Sequence, residues 1–271
     1  MTATREAVLP PLRRVYRTRA SVELKEFFRQ REAVVFTLML PVLLLLVFGA
    51  VLDYELGQGV TFTQYFMPGI VAAGILGASL QNMAIGIATE RSDGTLKSLA
   101  GTPMPKSAYF VGKIVQVLVV TVAIVAILLA VGVVFYDVDL PSGSDWLTFT
   151  WVAALGGAAC TLLGIAVSSL ARNGRSASAT VTPFALVLQF ISGVFFQFGQ
   201  IPEWLQTVAA VFPLKWMAQG LRSVFLPDAL AAAEPAGSWE LGRVALVLLA
   251  WCAIGLVLCV LTFRWQDRST K

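Results

Sequence analysis

The sequence predicts an all-α integral membrane protein. Three observations carry that class. Of 271 residues, 57% are hydrophobic and 13% charged, with a mean hydropathy of +0.77; soluble domains are about one-quarter charged. Six runs contain no Asp, Glu, Lys or Arg: 33–52, 66–88, 114–135, 147–170, 177–196 and 244–263. The shortest has 20 residues, and about 20 helical residues cross roughly 30 Å of hydrocarbon. The basic residues are also unevenly placed. Eight Lys/Arg lie in residues 1–32, four in 89–113, two in 171–176 and three in 264–271. If all these segments share one side, only Lys215, Arg222 and Arg243 lie on the other. Basic residues gather on the cytoplasmic side, so both termini are expected there. The net charge of +4 is met by anionic inner-leaflet lipid and calls for no nucleic acid.

The elements follow in order. Residues 12–32 form an amphipathic helix along the inner interface. Tyr16, Ala20, Leu24, Phe27 and Phe28 make its apolar stripe, and Arg13, Arg14, Arg17, Lys25, Arg29 and Arg31 dominate elsewhere. The first apolar run starts at Ala33 and is too long for a cleavable signal, so it is expected to remain as a span. Span two carries small residues at four-residue spacing, Gly69, Ala73 and Gly77, and span four carries Gly156, Cys160 and Gly164. Such faces let helices approach closely. The three cysteines all lie in spans, and the chain has no histidine, so neither a disulfide framework nor a zinc site is expected.

Uncharged polar residues occur within the spans: Gln81, Asn82, Thr180, Thr182, Gln189 and Ser192. They read either as interhelical hydrogen bonders or as the lining of a route for a largely apolar cargo. No ionisable pair sits at mid-depth, which disfavours an ion pump. Pro183 removes one backbone bond from span five.

Two connectors are unusual. Glu90 to Lys113 is a polar island between charge-free runs, with four basic residues. Thr95 or Asp93 is placed to cap a short helix from Leu96 to Gly101, and Pro103 and Pro105 stop it. Leu96 and Leu99 then form an apolar patch three residues apart, and Glu90 with Arg91 offers an ion pair at the exit of span two. The second connector, Gln197 to Arg243, is expected outside. Pro202 starts one helix, and Pro213 ends it and starts another, each about ten residues long and too short to span. These read as re-entrant helices, with Trp204 and Trp216 at interfacial depth. Lys215 and Arg222 either anchor the helices or meet an anionic headgroup.

These features together resemble the permease subunit of type-2 ATP-binding cassette (ABC-2) exporters, in the drug- and lipid-exporter branch typified by daunorubicin-resistance permeases. The resemblance rests on Glu90, Arg91, Gly94, Thr95 and Leu96 with Thr102, Pro103 and Lys113, and on Pro202, Trp204, Leu205, Pro213 and Arg222. It implies one transmembrane domain over 33–263, flanked by cytoplasmic segments 1–32 and 264–271. It also implies that the segment after span two is a coupling helix, where Glu90, Arg91, Gly94, Thr95, Leu96 and Leu99 meet a separate ATPase. Two such ATPases and a second permease half, identical or sibling, are the implied partners, in a bacterial cytoplasmic membrane. No G-x-x-x-x-G-K-[ST] occurs, and Gly112–Lys113 is followed by Ile. ATP and magnesium are therefore expected on the partner, with no cofactor and no catalysis in this chain. The implied activity is export of an amphipathic, lipophilic drug-like or lipid molecule by alternating access. Polysaccharide or glycolipid export is the nearest alternative. A secondary transporter, a channel or a membrane anchor without transport represents other classes.

Overall fold

The computed structural model describes residues 11–263, apart from 53, 58 and 172. Helix α1 (Leu12–Arg29) follows Pro11 and ends at Gln30, whose ψ of 78° breaks the helical path. Helix α2 (Arg31–Val51) begins directly after it. A small antiparallel hairpin, β1 (Glu55–Gly57) with β2 (Val60–Thr61), follows; hydropathy gave no sign of it. Thr61 then opens α3 (Phe62–Leu76) with a reciprocal capping box. Its hydroxyl accepts from Gln64 N at 3.3 Å, and Gln64 Oε1 accepts from Thr61 N at 3.0 Å.

Helix α3 continues through a π-helical segment, Gly77–Gln81, into α4 (Asn82–Ser92), making one 31-residue rod. That rod is the centre of the bundle. Its most apolar window is 72% buried, against 17% for α2 and for α11 (Leu241–Thr262). Three further long helices are α6 (Lys106–Tyr136), α7 (Asp145–Ser168) and α8 (Gly174–Ile191). α7 packs on α11 and on the rod, α8 on α4, and α1 lies along α6.

Five of these helical units are long and apolar enough to cross a membrane: α2, the α3–α4 rod, α6, α7 and α11. α8 is not among them, because its first half, GRSASATVTP, is too polar. It also stops at Ile191, five residues before the end of the uncharged run, where Gly193 takes φ +72° and turns the chain. Pro183 lies inside it.

Helices α9 (Glu203–Val211) and α10 (Pro213–Phe225) start where Pro202 and Pro213 place them. Their environments differ. Trp204 on α9 is 67% exposed. α10 is buried from Pro213 through Arg222 and packs on α3, α7 and α11. Trp216 is therefore a core residue, with Nε1 donating to Ala210 O at 2.7 Å, and not a tryptophan at an exposed interface.

The small faces partly pack as their spacing suggests. A Cβ on Gly164 would lie 2.7 Å from Leu80 O, and one on Gly69 would lie 2.8 Å from Val194 O. Backbone atoms cannot yield there, so these glycines set the spacing of α7 on the π segment and of α3 on the 194 turn. Ala73 and Gly77, on the same stripe as Gly69, instead line a cleft. Cys160, Cys252 and Cys259 are free thiols, and Cys259 Sγ donates to Leu162 O at 3.0 Å.

Candidate functional site

A cleft of about 510 Å³ opens between α2 and α8, with the α3–α4 rod as its floor. Each wall is a single helical stripe. Thr37, Leu40, Pro41 and Leu44 come from α2; Ser178, Thr182, Leu186 and Gln189 come from α8. The floor runs from Ile70 to Asp93 and includes Gln81, the last residue of the π segment, and Asn82. π segments often mark functional places because the extra residue per turn re-aims side chains. Of the sequence-derived path residues, Gln81, Asn82, Thr182 and Gln189 line this cleft. Thr180 and Ser192 do not. Thr180 is exposed and donates to Ser176 O at 3.0 Å, while Ser192 is buried where α8 ends. Thr37 donates weakly to Asn82 Oδ1 across the cleft at 3.5 Å.

One end of the cleft is ionic. Glu90, 4% exposed, accepts from Tyr109 Oη at 2.7 Å and pairs with Lys113. Lys113 also pairs with Glu23 at 2.7 Å, and Glu23 pairs with Arg19 one turn earlier. Arg19 in turn lies 5.3 Å from the Tyr109 ring centroid. This buried chain ties α1, α4 and α6 together. Gly112 makes room for it, since a Cβ there would come within 3.0 Å of both Arg19 and Glu23 side chains. Burial raises the Glu23 pKa above the ordinary carboxylate value, and Lys113 opposes that rise.

The sequence reading missed this network. Arg19 and Glu23 share the face of Tyr16, Ala20 and Phe27, so two charges lay inside the apolar stripe. That was the available signal. Glu90 and Arg91 do not pair with each other, because successive helical residues point about 100° apart. Arg91 turns to α7 and donates to Ser168 O at 2.9 Å.

Carboxylate oxygens of Glu23, Glu26 and Glu90 lie within 4.8 Å of one another. Lys113 Nζ is bound to both Glu23 and Glu90, so an ammonium already holds the position a metal between those two would take.

The short helix after the rod is α5 (Thr95–Ala100). Its cap is Gly94 at φ +81°, with no side-chain bond from Thr95 or Asp93. A left-handed residue reverses the chain abruptly after α4, and glycine adopts it at no steric cost. The reversal turns Leu96 inward. It is 0% exposed, in a cluster with Met83, Ile87, Tyr109, Val117 and Ile165, and Leu99 packs against the same cluster. The expected docking patch of Leu96 and Leu99 is thus part of the fold's own core. The outward surface consists of Lys97, Ser98 and Ala100, with Thr102 and Pro103 beyond.

At the far end of the bundle, Arg222 is 1% exposed. It donates to Gly193 O, approaches Glu234 at 3.7 Å and lies 4.3 Å from the Tyr65 ring centroid. Lys215 is buried over Trp216 at 3.8 Å and donates to Gln219, and burial lowers its pKa. Both cations are internal ties in this conformation, and neither is displayed for a headgroup.

The ABC-2 type transporter profile matches residues 16–226. YbhR of Escherichia coli (strain K12), described as a multidrug ABC transporter permease, is 27% identical over 146 residues. That match covers 54% of this chain and 39% of the relative's length. YvfS of Bacillus subtilis (strain 168), described as a transport permease, is 20% identical over 199 residues, covering 73% of this chain and 80% of the relative.

Proposed function

The chain belongs to the ABC-2 type transporter family, and from that premise we propose that it is the membrane-spanning subunit of an ATP-driven exporter of amphipathic, lipophilic molecules. In this reading α8 completes six crossings, and both termini face the cytoplasm of a bacterial cell. Two copies or siblings pair, and two separate ATPases supply the energy with their bound ATP and magnesium. The observation that carries the cargo class is the cleft. Its α2 wall is largely apolar, through Ala33, Phe36, Leu40, Pro41 and Leu44, and it faces uncharged polar groups, Gln81 and Asn82 on the floor and Ser178, Thr182 and Gln189 on α8. Amides in an apolar wall orient a ligand without demanding a charge at mid-depth. Among the described residues its aromatic lining is Phe27 and Phe36, which suits a lipophilic body better than a stack of sugars.

The α5 surface is the proposed ATPase contact, through Lys97, Ser98 and Ala100, while Leu96 holds α5 rigidly to α4 and α6. A force on α5 then reaches the cleft through Glu90, which lies on its floor. Lys97→Glu combined with Ser98→Trp is expected to weaken ATPase association by about tenfold or more, since substitutions at an interface centre often cost more than 1.4 kcal/mol. Thermal unfolding of the isolated chain stays unchanged, because both side chains are exposed. Co-purification and ATP-dependent dye export from vesicles, with the cognate ATPase, are the measurements. Persistence of complex and coupled export in the double variant would remove α5 as the contact. Absence of any ATP-dependent movement by the wild-type complex across a panel of lipophilic dyes would count against the exporter reading itself.

A further inference from the structure

We infer that the ionic end of the cleft is a subsite for the cationic head of an amphipathic ligand, an ammonium on an apolar body, held by Glu26 and Gln116. The inference rests on the reading of this cleft as a cargo path and adds the charge the cargo carries.

The local charge count is uneven. Glu23 and Glu90 are matched by Arg19 and Lys113, two carboxylates against two cations. Glu26 and Asp93 line the same end, and no ion pair joins either among the described residues. Glu26 has a carboxylate oxygen within 4.8 Å of those of Glu23 and Glu90, so its charge adds to a field that already draws cations. Gln116 supplies an independent sign. It is 9% exposed, lines the cleft one turn along α6 from Lys113, and its Oε1 has no hydrogen-bond partner among the described residues. Buried acceptors are rarely left unmatched, so this oxygen points to a donor brought by a ligand.

An ammonium fits this set better than a divalent ion. The network itself binds one, since Lys113 Nζ bridges two of the carboxylates. Magnesium and calcium require several oxygens converging from all sides, whereas here an aliphatic and aromatic wall begins beside the carboxylates. Phe27, Phe36 and Leu40 provide that wall. Head and body would therefore bind together: charge at Glu26, a hydrogen bond at Gln116, and apolar surface deeper in the cleft.

The test uses two fluorescent probes with one body, pyrenemethylammonium and the neutral pyrenemethanol. Each is titrated into the purified full chain in phosphatidylcholine nanodiscs, with empty nanodiscs subtracted. The wild type is expected to bind the cation about tenfold more tightly than the alcohol, the usual advantage of a charge-assisted hydrogen bond. Glu26→Gln should erase that difference and leave the alcohol unaffected, with thermal unfolding unchanged because Glu26 is exposed and unpaired among the described residues. Gln116→Leu should weaken the cation several-fold. Equal binding of both probes, indifferent to Glu26→Gln but lost in the cleft-filling Leu40→Trp, would overturn the charge subsite and leave the cargo cleft standing. Absence of saturable binding, or binding indifferent to Leu40→Trp, would overturn both. Manganese binding that depends on Glu26, without any preference for the cationic probe, would overturn the inference in favour of a metal site.

Discussion

Replacing Lys113 with methionine is expected to destabilise the protein by about 3–5 kcal/mol, the range for removing one partner of a buried ion pair. Lys113 Nζ binds Glu23 at 2.7 Å and also binds Glu90, and all three side chains are nearly sealed from solvent. Methionine fills similar volume, so the loss is electrostatic and not a cavity. It leaves two carboxylates facing each other, with Arg19 as the one cation still paired to them among the described residues. A second change locates the cause. Lys113→Met with Glu90→Gln should recover a substantial part of the loss, because directly coupled residues are non-additive. Thermal or denaturant unfolding of the purified chain reads both. Additive losses in the double variant would mean that the network does not act as a unit. The same variant should loosen α1 from α6, seen as faster amide exchange over residues 12–29, because Glu23 and Arg19 are its buried ties.

Arg222→Ala is expected to cost a similar amount, about 3–5 kcal/mol. The guanidinium satisfies Gly193 O, faces Glu234 at 3.7 Å and stacks over Tyr65 at 4.3 Å. Its removal strands a buried carboxylate and a carbonyl at the turn that ends α8. Arg222→Lys keeps the charge but not the fork, and should fall between the two. Arg243 is the control. It pairs with Glu240 at 2.5 Å, but its side chain is 66% exposed, so Arg243→Ala should change stability by about 0–1 kcal/mol. If Arg222→Ala unfolds like the wild type yet loses export, the residue acts on cargo and its role as an internal tie is wrong.

Much of the fold was legible because hydropathy and helix signals are local. Five of the six uncharged runs coincide with helices fit to cross a membrane. Pro202 and Pro213 start α9 and α10 where a fixed φ and a missing N–H put them. The candidate site was legible only in part. Gln81, Asn82 and Gln189 reach one cleft because each falls on the inward stripe of its helix. Thr180 was indistinguishable by residue type, yet it falls on the outer side of α8. Leu96 and Leu99 read as an apolar patch in a polar connector, which the resemblance gives to an ATPase. The reversal at Gly94 instead folds Leu96 onto Tyr109 and Ile165.

The sequence by itself determined the membrane class and most of the helical segments, since each is a sum of terms along a short window of chain. The tertiary structure alone decided which charges are hidden and what they face. Glu23 meets Lys113 across 90 positions, and Gly193 meets Arg222 across 29. Such pairs form only when packing brings separate helices together and excludes the water that would otherwise solvate each charge.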